Sequence, residues 1–246
     1  MITQSQRRRM YFSHAYGYAA AITQQLRTPK GRADLLEFID ASSPTFRSTI
    51  LKPLKRSLLH ELIHDTASFD WDHDIVHWQI SSLQQFFADH CETIPKRLLR
   101  DTEGNRDRLS DRLERPLAKL VDGAFYLLFG DRESLLYFNQ MIATKVQSLT
   151  PKEIPQMHRP GILPRPTYIP IWLKKAVFHR DKGCCQLCKK DLTGLLNPIA
   201  ESELDHIWPL AQSGCNDVTN FQLLCRRCNA KKRTEGVTSP EYCAYW

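Results

Sequence analysis

The sequence predicts two dissimilar parts joined by an extended linker: an all-helical N-terminal domain over residues 1–150 and a small α/β module over residues 171–246. Three observations predict this. Apolar residues recur at three and four positions through the first part. Six of the 14 prolines fall between Pro151 and Pro170. Seven of the eight cysteines follow, within the last 76 residues.

The helical part is read from its spacing. Leu51, Leu54, Leu58, Leu59, Leu62 and Ile63 form one run; Ile75, Trp78, Leu83, Phe86 and Phe87 another; Leu113, Leu117, Leu120 and Val121 a third. Gly130-Asp131 stops one helix and caps the next, which runs through Leu135, Leu136, Phe138, Met141, Ile142 and Val146. The charge-dense stretch from Asp101 to Arg115 reads as a loop followed by a solvated helix face. The prolines of 151–170 each remove a backbone donor and restrict the preceding residue, which predicts an extended linker.

Composition narrows the class. At 42% hydrophobic and 25% charged the chain is neither disordered nor low-complexity. No apolar run approaches the ~18–20 residues that cross a bilayer, so no membrane role is expected. Arg7-Arg8-Arg9 precede an apolar patch, Ala15 to Ile22, that holds two tyrosines and a glycine and reads as a helix rather than a secretion signal. The default expectation is a cytoplasmic protein, where cysteines bind metal or stay as thiols. A net charge of +7 is compatible with a polyanionic partner without establishing one.

The cysteines carry more information. Cys185-Gln-Leu-Cys188 and Cys225-Arg-Arg-Cys228 are two C-x-x-C pairs with 36 residues between them. Two such turns complete a tetrahedral four-thiolate zinc site. Such a staple suits a module whose core is too small to hold itself. Cys184 is expected to point away from the ion, and Cys91, Cys215 and Cys243 to be free thiols.

Between the pairs lies Leu204-Asp205-His206-Ile207-Trp208-Pro209-Leu210, then Gly214-Cys215-Asn216-Asp217, then Asn220-Phe221-Gln222-Leu223-Leu224; Asn229 and Lys232 follow the last cysteine. At these residues, over about 171–236, the sequence resembles the HNH endonucleases, with their ββα-metal (His-Me) finger. The resemblance implies a strand ending in Asp205-His206, a second strand over Gln222–Leu224, and a helix carrying Asn229 and Lys232. It implies that His206 is the general base, a role its ordinary pKa suits. It implies that Asp205 and Asn229 hold a catalytic divalent cation, Mg²⁺ or another, which oxygen ligands favour. Asn220 then ties down the loop that orients His206, and Gln222 is read as pinning the hairpin. This sequence departs from the pattern at Asn229, where many members have histidine, at Cys215, where a second loop glycine is common, and at Phe221, where leucine is usual. The first departure bears on metal preference.

Arg226, Arg227, Lys231, Lys232 and Arg233 put five cations into eight residues, the expected contacts to nucleic acid phosphates. Lys174, Lys175 and Arg180, on a short helix, are expected to extend that surface. A competing motif, His60-Glu61-Leu62-Ile63-His64, has the H-E-x-x-H spacing of zinc metalloproteases. Asp65 follows it directly and no third ligand is placed, so a surface or interface histidine pair is the preferred reading.

The expectation is therefore a metal-dependent endonuclease acting on DNA in preference to RNA, with structural zinc. Residues 1–150 are assigned to partner docking, dimerisation or regulation. A bacterial antiviral defence or mobile-element role is the associated expectation. The alternatives are a catalytically inactive zinc-ribbon nucleic-acid-binding protein and, more remotely, a metalloprotease in the helical domain.

Overall fold

Three helices start where the sequence supplies a capping side chain. Thr28 Oγ1 accepts from Gly31 N, and Ser43 Oγ accepts from Phe46 N, each with a proline at the first helical position. Asp131 caps the helix after Gly130 by accepting from Glu133 N. The computed structural model describes residues 13–194 and 202–233. Cys243, assigned as a free thiol, lies outside them.

The helices are α1 (Ser13–Leu26), α2 (Pro29–Leu36), α3 (Pro44–Leu51), α4 (Leu58–Val76), α5 (Ile80–Asp89), α6 (Glu103–Gly130), α7 (Arg132–Gln147) and α8 (Ile171–Arg180). Strand β1 (Ser202–His206), strand β2 (Phe221–Cys225) and helix α9 (Arg226–Lys232) complete the described helices and strands, and three short 3₁₀ turns lie between the described elements. The first apolar run is broken by Lys52-Pro53, where α3 ends in extended backbone. Helix α6 already begins inside the charge-dense stretch and continues through Pro116.

By packing, the chain divides into two compact units. One takes in the described residues of Met1–Gln24 and His60–Leu127, the other those of Gln25–Leu59 and Leu128–Trp246. These limits do not coincide with the boundaries expected at 150 and 171. In the second unit α2, α3 and α7 pack together with the cysteine-rich module.

Residues 151–170 also differ from the expected linker. Ile154, Met157 and Leu163 are buried, Gly161 N donates to Leu149 O at 3.0 Å, and Pro164 O accepts from Asn216. Proline forbids helix here, but the apolar residues between the prolines still seek burial, so the segment lies along the module.

The small core of the second unit is built from Leu173 and Val177 of α8, Cys185, Leu192, Val218, and Phe221, Leu223, Leu224 and Cys225 of β2. Strands β1 and β2 pair antiparallel, Asp205 opposite Gln222 and His206 opposite Phe221. Helix α8 is tied to β2 by Asp181, whose Oδ2 accepts from Leu223 N at 2.7 Å. Arg180 is half-buried and donates to Asp181 and to Phe221 O. That corrects its assignment to a nucleic-acid surface; Lys174 and Lys175 are exposed as expected.

Residues 213–225 are buried without a break. Asp217 carries much of this turn. Its carboxylate accepts from Leu58 N at 2.8 Å, from Thr219 N at 2.8 Å and from the Thr219 hydroxyl at 2.6 Å. Burial pushes its pKa up despite these donors. Asp217→Ala leaves three buried donors without an acceptor. It should lower the urea unfolding free energy of the full chain, followed by tryptophan fluorescence, by about 3 kcal/mol or more.

Candidate active site

The two cysteine pairs are shaped by their own turns. Lys189 N donates to Cys185 O and Cys185 N to Lys190 O, closing the first knuckle, and Gln186 N donates to Leu223 O to dock it on β2. Gly183 is required there: it has φ +63°, and a Cβ would run into Thr193 and Phe178. The second pair opens α9, where Cys225 is the N-cap and its sulfur accepts from Cys228 N at 3.5 Å.

The sulfurs of Cys185, Cys188, Cys225 and Cys228 lie within 4.8 Å of one another, and those of Cys188 and Cys225 are 3.8 Å apart. A tetrahedral ion with Zn–S bonds of about 2.3 Å requires sulfur–sulfur edges of about 3.8 Å, so the site fits zinc. Burial opposes the Cys185 thiolate, yet backbone N–H donors bring the thiol down to about 7. Burial and the neighbouring sulfurs push Cys228 up. Four thiols in this space ionise together only around a cation. Cys184 is outside the cluster, its thiol on Lys182 O, and Cys215 is buried.

Asp205 and His206 end β1, as expected, and both are buried. They line a cleft of about 290 Å³ together with His158, Pro164, Arg165 and Arg233. Neither His158 nor Arg165 was anticipated: they come from the Pro-rich stretch, and no local pattern links it to the hairpin. Burial lowers the pKa of His206 to about 4, with Arg165 and Lys232 working in the same direction against Asn216 and Asp205. The imidazole is therefore neutral at neutral pH and able to accept a proton.

The backbone of this pair is fixed from several sides. Gln222 Nε2 donates to Asp205 Oδ2 and to His206 O, both at 3.2 Å, and Arg132 donates to Gln222 Oε1 at 2.5 Å. Gln222 thus bridges the hairpin across the Asp205 register position. Asn220 is wholly buried: its Oδ1 accepts from Trp208 N, and its Nδ2 donates to Trp208 O and Cys215 O. It closes the loop after His206 by these backbone bonds; the residue that hydrogen-bonds the imidazole is Asn216, at 3.0 Å. Gly214 completes the loop, since a Cβ would overlap the carbonyls of Trp208 and Pro209.

Asn229 is half-buried on α9, and its Nδ2 donates to Glu203 Oε2 at 2.5 Å. Glu203 and Asp205 are two apart on β1 and share a face. Of the five expected phosphate contacts, Arg226, Arg227, Lys231 and Arg233 are exposed. Lys232 is not. It is buried, and its ammonium lies 2.7 Å from Asp205 Oδ2 and 2.7 Å from His206 O. It lies one turn beyond Cys228, on the helix face that the zinc knuckle turns toward the strands. Lys232 is therefore part of the site's interior, not of its phosphate surface.

Residues 185–235 match the HNH endonuclease family. The HNH match covers both cysteine pairs, both strands and α9, and so the Asp205-His206 pair and Asn229. No curated protein and no solved structure matches the chain. The HNH segment carries four cysteines positioned to bind a metal, and an HNH domain points to a nuclease that handles nucleic acid.

The H-E-x-x-H residues lie elsewhere, on α4. His60 is buried and stacks on Phe125 with ring centroids 3.6 Å apart. His64 pairs with Asp65 at 3.1 Å and Glu114 at 3.3 Å, and the Asp65 hydrogen bond raises its pKa. Among the described residues this pair does not join a three-ligand cluster. Metal analysis of the full chain should accordingly find zinc that Cys225→Ser abolishes together with the folded C-terminal module. A His60→Ala, His64→Ala double variant should keep it.

Proposed function

We propose that the protein is a metal-dependent endonuclease whose HNH segment hydrolyses phosphodiester bonds of DNA. The observation that carries this reading is one cleft. It holds Asp205 and His206 at the end of a strand within the family-matched segment, and two arginines, Arg165 and Arg233, open onto it.

His206 takes a proton from the attacking water, a task for a neutral imidazole. Asp205 and Asn229 would hold a divalent cation. The donor set fits a hard ion: a carboxylate, and a carboxamide whose Nδ2 is occupied by Glu203, so that its oxygen is the available ligand atom. Bound there, such a cation stabilises charge developing on the phosphate. Arg165 and Arg233 add positive charge to the same cleft, and Lys232 with Gln222 holds one oxygen of Asp205 in place.

Arg226, Arg227, Lys231 and Arg233 offer backbone contacts without base reading, which suits cleavage of low sequence specificity. A nuclease of that kind harms its host unless controlled. Residues 1–150 are the part to which we assign partner docking or regulation, and defence of the cytoplasm against foreign DNA is the setting we infer.

A second reading is a zinc-stapled binder without catalysis. One observation favours it: Lys232 already neutralises Asp205. Incubating supercoiled plasmid with the protein and Mg²⁺ or Mn²⁺ separates the two. The nuclease reading expects nicking that His206→Ala lacks. Equal nicking by both removes His206 from its role, and binding without cutting under any cation selects the second reading. Replacing Arg226, Arg227 and Lys231 by alanine should weaken binding to all sequences alike and flatten the slope of log affinity against log salt by about 2 to 3.

A further inference from the structure

Asn216 is wholly buried beside His206, and no part of the family resemblance gives it a task. Its Nδ2 donates to two backbone carbonyls, Leu51 O at 3.1 Å and Pro164 O at 2.9 Å. A carbonyl oxygen only accepts, so these two contacts decide which end of the carboxamide is nitrogen. The remaining atom, Oδ1, then faces His206 Nε2 at 3.0 Å. Oδ1 also only accepts. The proton in that contact belongs to the imidazole, on Nε2.

A neutral imidazole carries one ring proton. With it on Nε2, the lone pair is on Nδ1. The opposite tautomer would set a lone pair of Nε2 against Oδ1, between two buried side chains. Turning the carboxamide over to relieve that would break both bonds of Nδ2 and aim Oδ1 at two carbonyl oxygens. The backbone of Asn216 is held as well, its N–H donating to Ile50 O at 2.9 Å. The backbone of His206 is held too, its carbonyl accepting from Lys232 and Gln222.

We propose that Asn216 is a positioning residue that holds His206 as the Nε2–H tautomer, so that Nδ1 is the nitrogen that receives the water proton. The second half rests on the nuclease reading; the tautomer does not. Two of the groups that impose it, Leu51 and Pro164, lie outside the HNH match at 185–235.

The test is a nitrogen-detected NMR spectrum of the full, zinc-loaded chain labelled with ¹⁵N-histidine, at one neutral pH, with the His206 signals identified by their loss in His206→Ala. The expected wild-type spectrum shows a neutral ring with its proton on Nε2. Asn216→Leu should mix the tautomers and cut metal-dependent plasmid cleavage by about 10²-fold or more. Asn139→Ala serves as the control. It removes a different anchor of the same turn, the Asn139 Nδ2 bond to Thr219 O, without touching His206, and should keep the tautomer.

A wild-type proton on Nδ1 overturns the proposal. So does an unchanged tautomer in Asn216→Leu, or an equal shift in Asn139→Ala, which would reduce Asn216 to one loop anchor among several. If Asn216→Leu does not fold, the wild-type spectrum decides alone. The expected tautomer in a chain that never cuts DNA would sink the nuclease reading and leave this one standing.

Discussion

Thirteen consecutive residues, 213–225, are buried, and six of them are polar: Ser213, Asn216, Asp217, Thr219, Asn220 and Gln222. Buried polar groups must be hydrogen-bonded or they cost more than the turn gains from burial. The rest of the second unit answers that requirement. Asn216 is met by Ile50, Leu51 and Pro164, Asp217 by Leu58, Thr219 by Asn139, and Gln222 by Arg132. Every one of these partners lies outside the family-matched segment. The turn explains why α3, α7 and the Pro-rich stretch pack with the cysteine-rich module.

The zinc frame solves a different problem. A hairpin of two five-residue strands does not stand alone in water. Cys225 ends β2 and starts α9, while Cys185 and Cys188 come from the knuckle docked on β2. An ion shared by the four would fix the angle at which α9 leaves the strand. That angle brings Asn229 to Glu203 and Lys232 to Asp205. The frame therefore sets where Asn229 and Lys232 meet β1, while its cysteines stay out of the cleft lining.

How much of this was legible depended on the range of the interaction. The zinc ligands were readable because both C-x-x-C turns are local and their chemistry admits few uses. The order of strand, loop, strand and helix followed from the resemblance, as did the places of Asp205, His206, Asn220 and Asn229 in it. Gly130-Asp131 announced a helix boundary by itself. Lys232 was misread because charge runs hide helix facing: four of five cations in the run do face solvent, and the fifth points inward. Asn216 gave no signal, since the three partners of its side chain lie 10, 52 and 165 residues away. The Pro-rich stretch was legible as non-helical and not as packed, because proline content reports backbone freedom and not what Ile154, Met157 and Leu163 do.

The turn that carries Asn216 to the His206 imidazole is held by residues 50–58 as firmly as the hairpin holds itself. Native-state amide hydrogen exchange on the zinc-loaded full chain tests it most directly. The Asn216 N–H, bonded to Ile50 O, and the Leu58 N–H, bonded to Asp217, should exchange as slowly as the Leu223 N–H in β2. Fast exchange at Asn216 and Leu58 beside a protected Leu223 would mean instead that the hairpin folds without residues 50–58.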